Sequence, residues 1–321
     1  MSEDKDLWGN IISIGEKKVV LPDVDERVYD MALSFEEGIT PIEKMALFRR
    51  YGSSRAVLEL GKTTIRNLLG RGWQGADFDP AESVKKALDM LYFIDNAHIK
   101  VMRFDDPAYP IGLSQIPDCP FLLYYKGNLN FNYYTSIGFV GTRHPTNMGT
   151  QIAKDYGDYF ASQGITIVSG LAAGIDSIGH RCAIEVGVPT IAVLGSGIDR
   201  IYPAENKELA KQILDGGGAI VSEYAPGAGT QKWRFPRRNR IIVGLSRSVF
   251  LVQAAQRSGS LITAYLTTDY NRDLFIAPPV NDDTDNSFDG NRRLIEIGAT
   301  CLETPQDIYK HWQYTGDDNG S

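Results

Sequence analysis

Between residues 136 and 277 the chain repeats one rhythm: a short apolar run, a small or polar residue, then an amphipathic stretch of helical length. The runs are Ser136 to Val140, Ile165 to Val168, Thr190 to Leu194, Ala219 to Val221, Val249 to Val252 and Leu274 to Ala277. Runs that are apolar throughout fit strands buried on both faces, and strands alternating with helices pair in parallel. The rhythm therefore predicts an α/β domain built on a parallel sheet. Five of the runs lead into Gly141-Thr142, Ser169-Gly170, Gly195-Ser196, Ser222-Glu223 and Gln253-Ala254. Open parallel sheets bind ligands at the carboxyl ends of their strands, so these residues are the expected floor of a site.

Upstream the period changes to a helical one. Thr40-Pro41 supplies a cap and a first-turn proline for one helix, and Gly52 is placed to end it. Further helices are expected at Ser54 to Leu60, Thr63 to Leu69 and Pro80 to Ile94. Residues 28–105 thus read as a small all-helical module with a stabilising or protein-contact role. Residues 1–27 are a polar, weakly patterned segment. Residues 106–135, with four prolines between Asp106 and Pro120, read as an extended linker. The α/β domain follows over 136–312, and 313–321 is expected to be a disordered tail.

A chain of 321 residues accommodates such a division. No apolar run approaches the ~18–20 residues that span a bilayer, and the charged start Met1 to Asp6 is no secretory signal. A cytoplasmic protein without membrane partners is the expectation. Cys119, Cys182 and Cys301 lie far apart, in neither a metal-ligand spacing nor a disulfide framework. No metal or other cofactor is expected.

The net charge of −7 argues at first against a polyanionic ligand, but it is unevenly spread. Between Tyr224 and Thr268 there is no acidic residue, while Lys232, Arg234, Arg237, Arg238, Arg240, Arg247 and Arg257 give +7, leaving 26 basic and 40 acidic groups elsewhere. Within this stretch Lys232-Trp233-Arg234-Phe235-Pro236-Arg237-Arg238-Asn239-Arg240 interleaves aromatic rings with cations before entering a buried helix at Ile241 to Leu245. Single-stranded nucleic acid needs that pairing, because cations follow the phosphates while aromatic faces accept unstacked bases. The alternative is a solvated charged surface.

Other segments at the same edge could hold an anion. Gly141-Thr142-Arg143 fits a strand-to-helix phosphate turn, or equally a tight turn with a solvated arginine. Ser169-Gly170 opens a loop closed by Gly174, and Gly195-Ser196-Gly197 forms another glycine loop. Ser258-Gly259-Ser260 opens a helix whose hydroxyls and free N–H groups form an anion cradle. His180 reads as a core or capping residue, and Asp199 with Glu205 as a turn and a cap, so no catalytic set is assigned. Neither the dinucleotide fingerprint nor a Walker loop is present.

These motifs, in this order, resemble the DNA-processing protein A family (DprA, also called Smf). The resemblance rests on Gly141-Thr142-Arg143, Ser169-Gly170-Leu171-Ala172 with Gly174-Ile175-Asp176 and His180, and Gly195 with Gly197-Ile198-Asp199 and Tyr202-Pro203. It continues through Ser222-Glu223-Tyr224, Phe235 to Ile242 and Ser258 to Ala264. It implies an extended Rossmann-like DNA-binding domain over 136–312, behind a helical domain of the SAM or helix-hairpin-helix type. It also implies sequence-nonspecific binding of single-stranded DNA, loading of a RecA-type recombinase onto that strand during natural transformation or recombination, homodimerisation, and no catalytic activity. Phosphate contact then falls to Thr142, Arg143, Ser169, Gly170, Lys232, Arg237, Arg238, Arg240, Ser258, Gly259 and Ser260. Phe235 would stack on a base, and Asn239 would tie the basic loop to the sheet edge.

The chain departs from many relatives in two places. Its Gly38-Ile39-Thr40-Pro41 is less glycine-rich than their hairpin turn, and with its polar ending after Cys301 their C-terminal winged helix is not expected here. The competing reading is a nucleotide-binding or nucleotide-monophosphate-hydrolysing protein of the related Rossmann-like group. At the position where those enzymes carry an acid-bearing loop, this chain has Ser258 to Ala264 and no acid until Asp269.

Overall fold

The computed structural model describes residues 5–7, 19–70, 72–73, 78–279 and 286–314. The chain divides into two compact units, Met1–Tyr109 with Pro117–Tyr124, and Pro110–Ile116 with Tyr125–Ser321. Most of the polar segment 1–27 lies outside the described residues, as do residues 315–321 of the expected tail.

The first unit is built from helices α1 (Glu26–Phe35), α2 (Pro41–Tyr51), α3 (Ser54–Leu58), α4 (Gly61–Leu69) and α5 (Pro80–Asn96). Local chemistry sets their ends. The Asp25 side chain caps α1, Thr40 and Glu43 form a capping box on α2 with Pro41 in its first turn, and Asp79 caps α5. The apolar stripes of α1 and α3 meet in a core containing Val28, Met31, Leu33, Val57 and Leu58, all without solvent exposure. Strand β1 (Lys100–Arg103) brings Arg103 onto Asp30, whose carboxyl burial pushes above the usual carboxylate range.

The stretch read as an extended linker is more ordered than its prolines suggested. It contains the short helix α6 (Ile111–Ser114), which starts at Pro110, and strand β2 (Leu122–Gly127). Proline is tolerated at a helix start, so the same residues that break a long helix open a short one.

The second unit carries strands β3 (Ser136–Val140), β4 (Thr166–Ser169), β5 (Ile191–Leu194), β6 (Ala219–Ser222), β7 (Ser248–Leu251), β8 (Asp273–Ile276) and β9 (Thr300–Cys301). Between and after them run α7 (Asn147–Ser162), α8 (Ile175–Glu185), α9 (Lys207–Asp215), α10 (Arg234–Gly244), α11 (Ser260–Asp269), α12 (Asp289–Glu296) and α13 (Ile308–Tyr314). The strands stand in the order β6-β5-β4-β3-β7-β8-β9 and pair in parallel throughout. Strands β3 to β7 are buried along their whole length, which is why their sequences show no alternation. One face is sealed by α7 and α8: the Tyr156 ring stacks on Phe250 at 4.6 Å, and Phe139 lies 5.7 Å from Phe250. Among the described residues no helix is long and apolar enough to cross a membrane.

Candidate nucleic-acid interface

The chain winds outward from β3 through β4 and β5 to β6, then returns to place β7 on the other side of β3. Loops leaving β3 and β7 at their carboxyl ends diverge, and such a switch point leaves a crevice in an open parallel sheet. A cleft of about 570 Å³ opens there. Val140 to His144 form one wall, and Ser258, Gly259, Ser260 and Thr263 at the start of α11 form another. Helix α10 adds Phe235, Pro236, Arg238, Asn239 and Ile242, with Lys232 just ahead of it, while Ala172, Asp176 and Tyr202 come from the segments after β4 and β5. The turn after β3 is held by Gln253, whose backbone oxygen accepts the Thr142 N–H at 2.9 Å and whose side-chain oxygen accepts the Thr146 N–H at 3.0 Å.

The basic run is not a loop. Helix α10 begins at Arg234, so most of the cations expected ahead of a helix at Ile241 lie on the helix itself. Pro236 sits in the first turn, where a missing N–H costs nothing. Helical spacing then sorts the run: Phe235, Arg238, Asn239 and Ile242 form one stripe and face the cleft. Arg237 and Arg240 project elsewhere, onto Glu223. Arg240 is buried in an ion pair with that carboxylate, and the exposed Arg237 approaches it at 3.6 Å.

Arg238 dominates the electrostatics. Only 4% exposed, it donates through Nη1 to the backbone oxygens of Gly170, at 2.7 Å, and Val193, and through Nε to Asn239 Oδ1 at 3.2 Å. It makes no ion pair among the described residues, and its Nη2 has no hydrogen-bond partner there. Burial pushes its pKa down to about 10; the Asp176 carboxylate opposes that shift and Arg143 adds to it. Among the described residues Asp176 is the one carboxylate lining the cleft, and it accepts the N–H groups of Gly170 and Ala172 at 3.1 and 3.3 Å. Burial raises its pKa, against the lowering influence of Arg238. The product is a buried positive charge at the bottom of a cleft whose mouth carries the exposed Arg143 and Lys232.

Aromatic surface lies beside this charge. The Phe235 ring sits 5.4 Å from that of Tyr202 at an interplanar angle of 47°, and the Arg143 guanidinium lies 5.6 Å from the Phe235 centroid. Across the cleft the Ser258 and Ser260 hydroxyls are 2.7 Å apart at the start of α11, where the helix dipole favours an anion.

A family profile described as DNA recombination-mediator protein A matches residues 100–313. The chain belongs to this family. It is 36% identical over 265 residues to the DNA processing protein DprA of Streptococcus pneumoniae, covering 80% of this chain and 92% of that one. It is 37% identical over 286 residues to the protein Smf of a Synechocystis species, covering 86% and 70%. In structure it is similar to the X-ray structure of DprA from S. pneumoniae, with a TM-score of 0.69 and 30% identity over 90% of this chain and 98% of that one. It is also similar to DNA processing protein A from Helicobacter pylori, solved to explain its single-stranded DNA binding mode, with a TM-score of 0.59, 28% identity, and coverage of 67% and 96%.

Of the residues singled out from this family's pattern, the cleft brings together Thr142, Arg143, Lys232, Phe235, Arg238, Asn239, Ser258, Gly259 and Ser260. It does not gather Ser169, Gly170, Arg237 or Arg240. Ser169 ends a strand with its side chain turned inward, donating to the Phe139 carbonyl, and is fully buried. Gly170 serves Arg238: a Cβ there would lie 2.3 Å from Arg238 Nη2. His180 is a core residue, hydrogen-bonded through Nδ1 to Thr190 Oγ1 at 2.8 Å and held neutral by burial. Tyr202, His144 and Asp176 were not assigned to the site from sequence. All three follow strands at the predicted edge, which is the signal that could have found them.

Proposed function

We propose that the cleft binds single-stranded DNA without sequence preference, and that the protein, as a homodimer without catalytic turnover, delivers the strand to a RecA-type recombinase. The observation that carries the binding step is Arg238, a buried cation without an ion-pair partner among the described residues, beside an aromatic ring and a helix start. A phosphate in the cleft would offset its desolvation, while a base covers Phe235. What is stated for the H. pylori relative supports the same ligand, and the family's description as a recombination mediator supports the delivery step. The non-enzymatic part is supported by Asp176: both backbone bonds it accepts fix the loop after β4, and among the described residues no second carboxylate lines the cleft. Ile262 and Tyr265, both exposed on α11, support self-association.

The test is the salt dependence of oligo-dT binding in two variants. Lys232→Ala should reduce the slope of log K against log salt by about 0.7, one phosphate's share for a single strand. Phe235→Ala should leave the slope unchanged and cost about 1–3 kcal/mol. A wild-type slope of zero would refute the reading. For delivery, the protein should shorten the lag of recombinase filament growth on strands coated by a single-strand-binding protein; an unchanged lag with intact binding would refute that step.

A further inference from the structure

Tyr202 lines the cleft, yet 46% of it is exposed and its hydroxyl makes no hydrogen bond among the described residues. Its packing leaves nearly half of the residue open to a partner. The segment that carries it is nevertheless pinned. The Ser196 hydroxyl donates to the Arg200 carbonyl at 2.6 Å, the Asp199 carboxylate accepts the Gly227 N–H at 2.9 Å, and Ile198 is buried. A rigidly mounted, exposed ring loses little conformational freedom when it takes a partner. Its neighbour in the cleft is Phe235, with centroids 5.4 Å apart. That separation is too short for a base to slide between the rings, and the 47° between their planes makes a stepped surface instead.

We infer that Tyr202 is a second base platform, so that the cleft takes two consecutive nucleotides, one base on Phe235 and the next on Tyr202. The inference rests on the single-stranded DNA reading. The phosphate between the two bases then lies toward Arg143, whose guanidinium is 5.6 Å from the Phe235 centroid.

The experiment uses the full chain and short oligonucleotides of constant phosphate number, abasic except for either one thymine or two adjacent thymines. Holding the phosphates constant keeps the electrostatic contribution fixed. For the wild type, the first base and its neighbour should each raise affinity by about 5- to 150-fold. Tyr202→Ala should abolish the second increment and keep the first, and Tyr202→Phe should keep both. Equal second increments in wild type and Tyr202→Ala would overturn the inference, as would Tyr202→Phe behaving like Tyr202→Ala, which would make the hydroxyl the active group. Failure of the wild type to bind any of these strands would instead overturn the underlying reading, so the two failures are distinct.

Discussion

Arg238 and Arg240 stand two positions apart on α10, and replacing each by methionine should produce opposite profiles. The lowering of the Arg238 pKa from the usual 12.5 to about 10 means that its surroundings disfavour the charge by roughly 3 kcal/mol. Removing it relieves that cost but strips a donor from the buried oxygens of Gly170 and Val193, at about 1–3 kcal/mol each. The two effects nearly cancel, so Arg238→Met should destabilise by about 1 kcal/mol, and by no more than about 3. Strand binding should nevertheless fall by about 1.5–3 kcal/mol, the worth of one charge-assisted contact. Arg240→Met leaves the largely buried Glu223 carboxylate with, among the described residues, only the exposed Arg237 at 3.6 Å as an ion-pair partner. Breaking such a pair should cost about 3–5 kcal/mol of stability, with binding by the folded fraction little changed. Urea unfolding at 25 °C and oligo-dT titration at one fixed salt concentration read the two quantities separately. If Arg238→Met proved the more destabilising, or bound strands like the wild type, the assignment of a ligand-seeking charge would be wrong.

His180 is held neutral by burial, with Arg238 a lesser cause, and its pKa falls to about 3 from an unfolded value near 6.5. The unfolded chain therefore takes up a proton first, and stability should drop as pH falls from 6.5 toward 3, by about 2 kcal/mol between pH 7 and 5. Denaturation at the two pH values should show this, and His180→Gln should remove most of the difference; an unchanged pH dependence in the variant would place its cause elsewhere. Gly174 has φ +77°, and a Cβ there would meet the Thr142 carbonyl oxygen at 2.5 Å. Gly174→Ala should thus destabilise by about 1–3 kcal/mol and weaken strand binding, because it pushes the turn after β3 away from α8; unchanged melting would contradict this packing.

The sheet was legible because its strands are buried on both faces and therefore apolar without interruption. Ser136 to Val140 matches β3 end to end, and the other five runs fall within a residue of theirs. The two-residue β9 left no such trace. Orientation within the site was harder to read. Ser169 belongs to the same kind of strand-end motif as Thr142, yet it is still within its strand and turns inward, whereas Thr142 has left its own. Among the cations, sequence adjacency suggested a common task, but helical spacing divides them: Arg238 goes to the cleft and Arg240 to Glu223, an acid visible in Ser222-Glu223-Tyr224 but without a sequence sign of its partner. Once the run is placed on a helix starting at Arg234, that division follows from 100° per residue.

In the proposed function the acid-free stretch and the switch-point cleft together hold a single strand. A gel-shift titration of the purified protein against matched single-stranded and duplex DNA at two salt concentrations tests it most directly. Tighter binding of the single strand at both concentrations, with affinity falling as salt rises, is the expected result. Preference for duplex, or affinity independent of salt, would contradict it.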